Sequence, residues 1–447
     1  MRVGELGFWW HSVGGAPPPR PPLDGRIEAD VAIVGGGYTG LWTAYYLKRA
    51  DPSLQVTVLE AERVGFGASG RNGGWVSGFF SGPPRVYPAM GSSGLGFQAL
   101  QREMFATVDE VARFLAEQGA DADFYKGGHV SVALNDAQAQ RVRAQVHDAH
   151  SRGLGEGDLC VLDGEALAQR LRIQGALGGS FSPHVARVHP VKLLLALAQA
   201  AQRLGVAVYE RSPVGEIGAH RVRTPAGAVR ARWIVRATEG YTASLPGLRR
   251  LLAPVNSSMI ITEPLPDDAW REIGWEGAEV LSDAASAYCY AQRTADGRIA
   301  IGGRGVPYRF ASRTAGAGET PARTIAALQR KLCAMFPAAA PVALDHAWSG
   351  VLGVARDWGV SVAADRRAGI AWAGGYVGEG VAAANLAGRT LCDLVLERRS
   401  ELVRLPWVGR APARWEPEPL RWAEINGLYA LYRRADARER RSGRRSR

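Results

Sequence analysis

At 447 residues, with 47% hydrophobic and 22% charged side chains, the chain has ordinary globular composition and length enough for two or three domains. The formal charge of +11 is concentrated in residues 433–447, which hold eight arginines against two acids, so a basic disordered tail is expected rather than a nucleic-acid surface. No run of about eighteen apolar residues exists to span a membrane, and the N-terminal residues lack the layout of a secretory signal, so a cytoplasmic protein is expected. Cys160, Cys289, Cys333 and Cys392 lie far apart with no C-x-x-C pair, which suits buried thiols better than zinc or a disulfide framework. His147 and His150 share a helix face but lack a third ligand, so no metal is expected.

In chain order, residues 1–25 begin with Phe8, Trp9 and Trp10 and continue into PPPRPP, which predicts an extended arm pinned by its aromatics rather than a helix. Asp30 to Glu60 then forms one unit: an apolar strand at Val31 to Val34, the glycines Gly35, Gly37 and Gly40 in G-x-G-x-x-G, a helix from Leu41, and a strand at Gln55 to Leu59 closed by Glu60. Glycines at those places allow a tight turn, close approach of a pyrophosphate, and close packing of helix on strand. The helix N-terminus offers free N–H groups to phosphate, and an acid twenty residues on accepts from ribose hydroxyls. This unit predicts dinucleotide binding. The following stretch, AERVGFGASGRNGGWVSGFFSGPP, is too glycine-rich for regular structure and too long for an idle connector.

Beyond it, helices are predicted at Ala99 to Gln118, Asp136 to Ser151, Val191 to Leu204, Thr320 to Phe336 and Val381 to Glu397. Short strands are expected at Phe124 to Leu134, Val206 to Tyr209, around Ala228, at Trp233 to Ala237 and at Ile370 to Ala373, with antiparallel strands through 253–310. Residues 153–190 resist assignment. The expected fold is α/β plus α+β, a Rossmann-like cofactor domain interleaved with a mostly antiparallel β substrate domain. The cofactor domain would take 26–85, 185–250 and 340–400, and the substrate domain 86–184 and 251–339. A C-terminal helical extension would follow over 401–432.

Taken together, DVAIVGGGYTGLWTAYYL, GFGASGRNGG, ATEGYT, DGRIAIGGRG and GGYVGEGV resemble, in order and spacing, the FAD-dependent oxidoreductase superfamily of D-amino-acid oxidase, sarcosine oxidase and glycine oxidase. Within it the γ-glutamylputrescine-oxidase-like branch is most similar. The resemblance implies FAD held by Gly35, Gly37, Tyr38, Thr39, Gly40, Glu60, Ala61, Arg63, Gly67, Ala68, Ser69, Arg71, Asn72, Gly73, Gly74, Val214, Thr238, Gly375, Gly378, Glu379, Gly380 and Val381. The N–H groups of Gly375, Gly378 and Gly380 would face the flavin pyrimidine ring. Glu239 stands where the family usually has Asn, and Glu379 where better-known relatives often have His. An acid beside a reduced ring is electrostatically awkward, so the Glu379 side chain is expected to point outward. Gly350 takes the place of the cysteine that binds FAD covalently in some relatives, so the cofactor should be non-covalent. No lysine occurs from 193 to 330, where sarcosine-oxidase relatives carry one near Ala300 for reaction with oxygen.

The implied reaction removes hydride from a carbon bearing an amine to flavin N5 and gives an imine, with oxygen or another acceptor taking the electrons. Tyr288 and Tyr290 share a strand face, as do Ile299 and Ile301. Arg304 is placed to pair with a substrate carboxylate, and His129 to line the pocket. The competing readings are an amine dehydrogenase and a flavin-binding protein without turnover. The partners expected are a small amine and the electron acceptor.

Overall fold

The computed structural model describes residues 1–87, 96–314 and 316–443, and the last four residues of the basic tail lie outside them. Two sheets organise the molecule. In the first, the strands Ala207–Tyr209, Val56–Leu59, Gly25–Val34, Gly227–Arg236 and Ile370–Gly374 lie side by side and parallel. The register sets Val34 opposite Leu59 and Arg236, so the carboxyl ends of these strands meet at one edge, where a crevice opens in sheets of this kind.

Burial on both faces explains the apolar run at the start of the glycine unit. Val31 and Ile33 turn to a core shared with the helices Tyr38–Ala50, Pro190–Arg203 and Gly380–Val395. Ala32 and Val34 turn to the other face, against Leu23, Val222 and Val229. The helices Tyr38–Ala50 and Gly380–Val395 approach closely at Gly388, where an added Cβ would stand 2.7 Å from Trp42 Cβ.

The second sheet has nine strands, in the order Arg2–Val3, Leu344–Val354, Ala253–Thr262, Ile299–Gly303, Cys289–Arg293, Val280–Asp283, His129–Ala133, Gly178–Ser182 and Cys160–Leu162. Most of its pairs are antiparallel. Leu344–Val354, grouped from sequence with the cofactor segments, pairs here with Ala253–Thr262. Ile260, Ala291, Ile299 and Ile301 face a core beneath the helix Ala322–Met335. Their alternates Met259, Ile261, Ala300 and Trp348 join the core of the first sheet, with Tyr290 packed against it.

Several expectations need correction. Phe8–His11 is one helical turn rather than extended chain; its three aromatics are buried, and Trp9 Nε1 donates to Asn72 O at 2.8 Å. A single ten-residue strand, Gly227–Arg236, replaces the two short ones. The glycine-rich stretch contains a strand, Trp75–Ser77, paired with Val185–Arg187. The tail is helical as far as Ser442, within Leu420–Ser442, because Asp436 and Glu439 are buried and bonded rather than solvated. Among the described residues no helix is long and apolar enough to cross a membrane.

Candidate active site

Two joined cavities occupy the edge where the strand ends meet. The larger, of about 280 Å³, runs from Glu60 and Val214 past the glycine turn to Gly378 and Val381. The smaller, of about 70 Å³, continues beneath the nine-stranded sheet, and Ala68, Asn72, Leu352, Gly378 and Val381 line both.

The glycine turn is fixed by sterics. Gly35 has φ +112°, and a Cβ there would stand 2.5 Å from Ala237 O. A Cβ on Gly40 would stand 2.0 Å from Gly35 O, so the helix can sit this close only on glycine. Gly37 begins the helix with no side-chain cap, and the Tyr38 N–H donates to Ser69 Oγ at 2.8 Å. Glu60 closes the second strand with one N–H on each oxygen, from Gly36 at 2.7 Å and Glu62 at 3.0 Å. Burial pushes its carboxyl up to about 7 against those two bonds.

Of the residues expected at the cofactor, Gly35, Gly37, Tyr38, Thr39, Glu60, Ala61, Gly67, Ala68, Ser69, Asn72, Val214, Thr238, Gly378, Gly380 and Val381 line the crevice. Arg71, Gly73 and Glu379 line the smaller cavity instead. Gly40 acts from beneath. Gly74 is packed under Gln292 and Val188 O, where close approach requires glycine. Arg63 faces away, beside Trp10 and His11. Gly375 also differs from expectation: its N–H is taken by Glu239, whose carboxylate accepts from Gly375 at 2.9 Å and from Gly353 and Tyr376 at 3.2 Å each. Glu239 therefore clamps three backbone segments together at the crevice wall.

In the smaller cavity, sheet alternation brings Ser257, Tyr288, Tyr290, Gly350 and Leu352 to one side. Tyr290 OH bonds Ser257 Oγ at 2.8 Å, and its ring fits because Gly73 and Gly302 lack side chains, with Cβ positions 2.8 and 2.3 Å from ring carbons. Tyr288 is 38% exposed. Arg304 donates to Val377 O at 3.3 Å. Burial opposes its charge, but Tyr288, Tyr429 and Tyr290 around it more than offset that and hold its pKa above the usual range. Glu379 points inward, not outward as expected. Burial pushes its carboxyl up, while nearby Ser77 and the charge of Arg304 pull the other way. His129 does not reach the cavity: its ring lies 5.2 Å from that of Trp75, which does, and its Nε2 pairs with Ser282 Oγ at 2.9 Å. Burial brings His129 down to about 4, so the ring is neutral. Ile299 and Ile301 turn to the far core.

Sequence reasoning missed Phe66, Tyr241, Tyr376, Ser257 and Trp75. Phe66 and Tyr241 sit inside motifs already marked as loops at the crevice, where an aromatic next to a glycine was the available signal. The arrangement suits a bound dinucleotide. The glycine cradle has no room for side chains, Glu60 has acceptor capacity left, and Arg71 has Nε and Nη2 buried without a hydrogen-bond partner among the described residues.

A parallel-strand crevice with this glycine turn, opening onto a cavity under an antiparallel sheet, defines a dinucleotide-dependent oxidoreductase. The chain belongs to the FAD dependent oxidoreductase family, whose profile matches residues 30–394, and it is a flavoenzyme with FAD as cofactor. It is 31% identical over 399 residues to gamma-glutamylputrescine oxidoreductase of Escherichia coli (strain K12), covering 87% of this chain and 89% of that one. To a probable oxidoreductase OrdL of Rhizobium meliloti (strain 1021) it is 30% identical over 403 residues, covering 88% and 89%. Its fold matches the crystal structure of glycine oxidase from Geobacillus kaustophilus with a TM-score of 0.69 at 22% identity, over 83% of this chain and 96% of that one.

Proposed function

We propose that the enzyme oxidises the C–N bond of a small amine or amino acid to an imine, with oxygen as electron acceptor. The observation that carries this reading is the small aromatic and charged cavity opening onto the crevice at Gly378 and Val381. When bound, FAD supplies the acceptor for the substrate's hydride. Glu60 and the turn at Gly35 and Gly37 would hold its nucleotide end, and Arg71, Asn72 and Gly378 would lie toward its ring. Among the described residues no cysteine lines either cavity, which supports non-covalent binding.

The chain's own groups prepare the substrate. Trp75, Tyr288 and Tyr290 wall the cavity, and an amine among these rings leaves part of its hydration behind, which lowers its pKa. Tyr290 is fixed by Ser257, and Arg304, tethered to Val377 O, faces an anionic end such as a carboxylate. Relatives named for gamma-glutamylputrescine and glycine support an amine substrate. A second reading, an amine dehydrogenase using another acceptor, is favoured by one observation: among the described residues no lysine lines either cavity.

Anaerobic titration of the yellow protein with γ-glutamylputrescine, glycine, sarcosine and N,N-dimethylglycine should bleach the flavin with at least one of them, and air should restore the colour. Slow recovery in air would favour the dehydrogenase. Bleaching by none would leave a flavin-binding protein without turnover.

A further inference from the structure

Glu379 stands at the junction of the two cavities. It is the N-cap of the helix Gly380–Val395, and its neighbours Gly378 and Val381 line both spaces while Glu379 lines the smaller. Among the residues lining that smaller cavity it is the one acid, and the cations there are Arg71 and Arg304. Arg304 is close by, since a Cβ on Gly378 would stand 3.9 Å from its Nη2. Among the described residues no histidine or lysine lines the cavity. Tyr288 and Tyr290 do line it, but a phenol titrates near ~10 and burial raises Tyr290 further, so at neutral pH they keep their protons. Glu379 is therefore the lining group able to take up a proton under physiological conditions.

An amine in water is an ammonium ion, and its nitrogen has no lone pair to assist loss of hydride from the adjacent carbon. Something must remove that proton once the amine has left water. We propose that Glu379 is the proton acceptor for the substrate, receiving the amine as its ammonium ion and taking one N–H proton. In that step an N–H bond breaks, an O–H bond forms on the carboxylate, and the N–H electron pair becomes the amine's lone pair. No oxidant is consumed. The assignment rests on the amine reading above.

The surroundings suit a carboxyl that takes and releases a proton. Ser77 on the strand Trp75–Ser77 and Arg304 at the end of Ile299–Gly303 both favour its ionised form, and Tyr429 of the C-terminal helix acts on Arg304 in turn. Tyr288, Tyr290 and Arg71 complete the charged and titratable lining. Burial raises the carboxyl toward the lowered pKa of a desolvated amine, which eases transfer between them. The favourable charge of Arg304 keeps an ionised population available to meet the ammonium.

The test is anaerobic stopped-flow reduction of the holoenzyme by the same four amines between pH 6 and 10, separating Kd from the limiting rate. In the wild type, Kd should stay nearly flat from pH 7 to 9. In Glu379→Gln only the free amine can bind productively, so Kd should fall about tenfold per pH unit toward the amine's own pKa, which is roughly a hundredfold across that range. Flavin absorbance and melting midpoint of the variant should match the wild type. If Glu379→Gln does not retain flavin, Glu379→His makes the same comparison, with the acid limb of the profile moved to that of an imidazole. A reactive wild type beside a variant with an unchanged Kd profile would overturn the assignment while leaving the amine reading intact. A wild type that none of the four amines reduces would overturn the amine reading, and the assignment with it.

Discussion

Glu239 is a case where one side chain explains a departure from family habit. Its backbone is held at φ +40° and its carboxylate gathers N–H groups from Gly353, Gly375 and Tyr376. Burial raises the carboxyl from the ordinary 4.5 to about 7, opposed by those three bonds. The folded-state pKa is thus above the unfolded one, so the contribution to stability is complete below about 4.5 and is lost as pH rises through about 7. Glu60 has the same sign, and His129, brought down to about 4 by burial, has the opposite one, losing stability as pH falls below its unfolded value. Urea unfolding should therefore show the pH slope of Glu239→Gln flatter than that of the wild type between pH 5 and 8, by at most about 3 kcal/mol. Equal slopes would contradict this account of the clamp. The sequence marked position 239 as unusual, but not its role, because its three donors come from segments more than a hundred residues away.

The C-terminal helix Leu420–Ser442 was the element least legible in advance. Its arginine-rich end has the composition of a solvated tail, and its buried acids act on partners far away in sequence. Asp436 accepts from the N–H groups of Ser286 and Ala287 at 2.8 and 2.9 Å, just before Tyr288. Arg433 donates to the carbonyls of Arg304 and Gly305, and Arg141 bonds Glu439 at 2.8 Å. The helix lies beyond the family match at residues 30–394, yet it braces both segments that carry Tyr288 and Arg304 into the cavity. Asp436→Ala leaves two N–H groups without acceptors, and should cost about 1–3 kcal/mol in urea unfolding. It should also weaken amine binding several-fold with flavin content unchanged. Unaltered amine affinity would show that the brace does not reach the cavity. By contrast, the helix Tyr38–Ala50 and its flanking strands were readable because their signals are local: apolar Val31 to Val34, three glycines and an acid, all within one crossover.

Across the whole molecule, the cofactor half of the site was legible and the substrate half was not, for a reason of register. The crevice takes much of its lining from short runs within one crossover, Val34 to Thr39 and Leu59 to Asn72, whereas the cavity depends on how Ala253–Thr262 pairs with both Leu344–Val354 and Ile299–Gly303. A shift of one residue in either pairing would exchange Ser257 and Leu352 for their buried neighbours. The same alternation sends Ile299 and Ile301 to the far core and leaves Tyr290 on the smaller cavity, in space left by Gly73 and Gly302. All of this presumes one FAD lying along the first crossover with its ring toward Gly378. Flavin stoichiometry after denaturing the purified protein tests that most directly. The account predicts about one FAD per chain, all released into the supernatant, and little or none from Gly40→Ala, whose methyl would stand 2.0 Å from Gly35 O. A wild type that is colourless and cannot be reconstituted with FAD, or a Gly40→Ala variant that keeps its full complement, would contradict it.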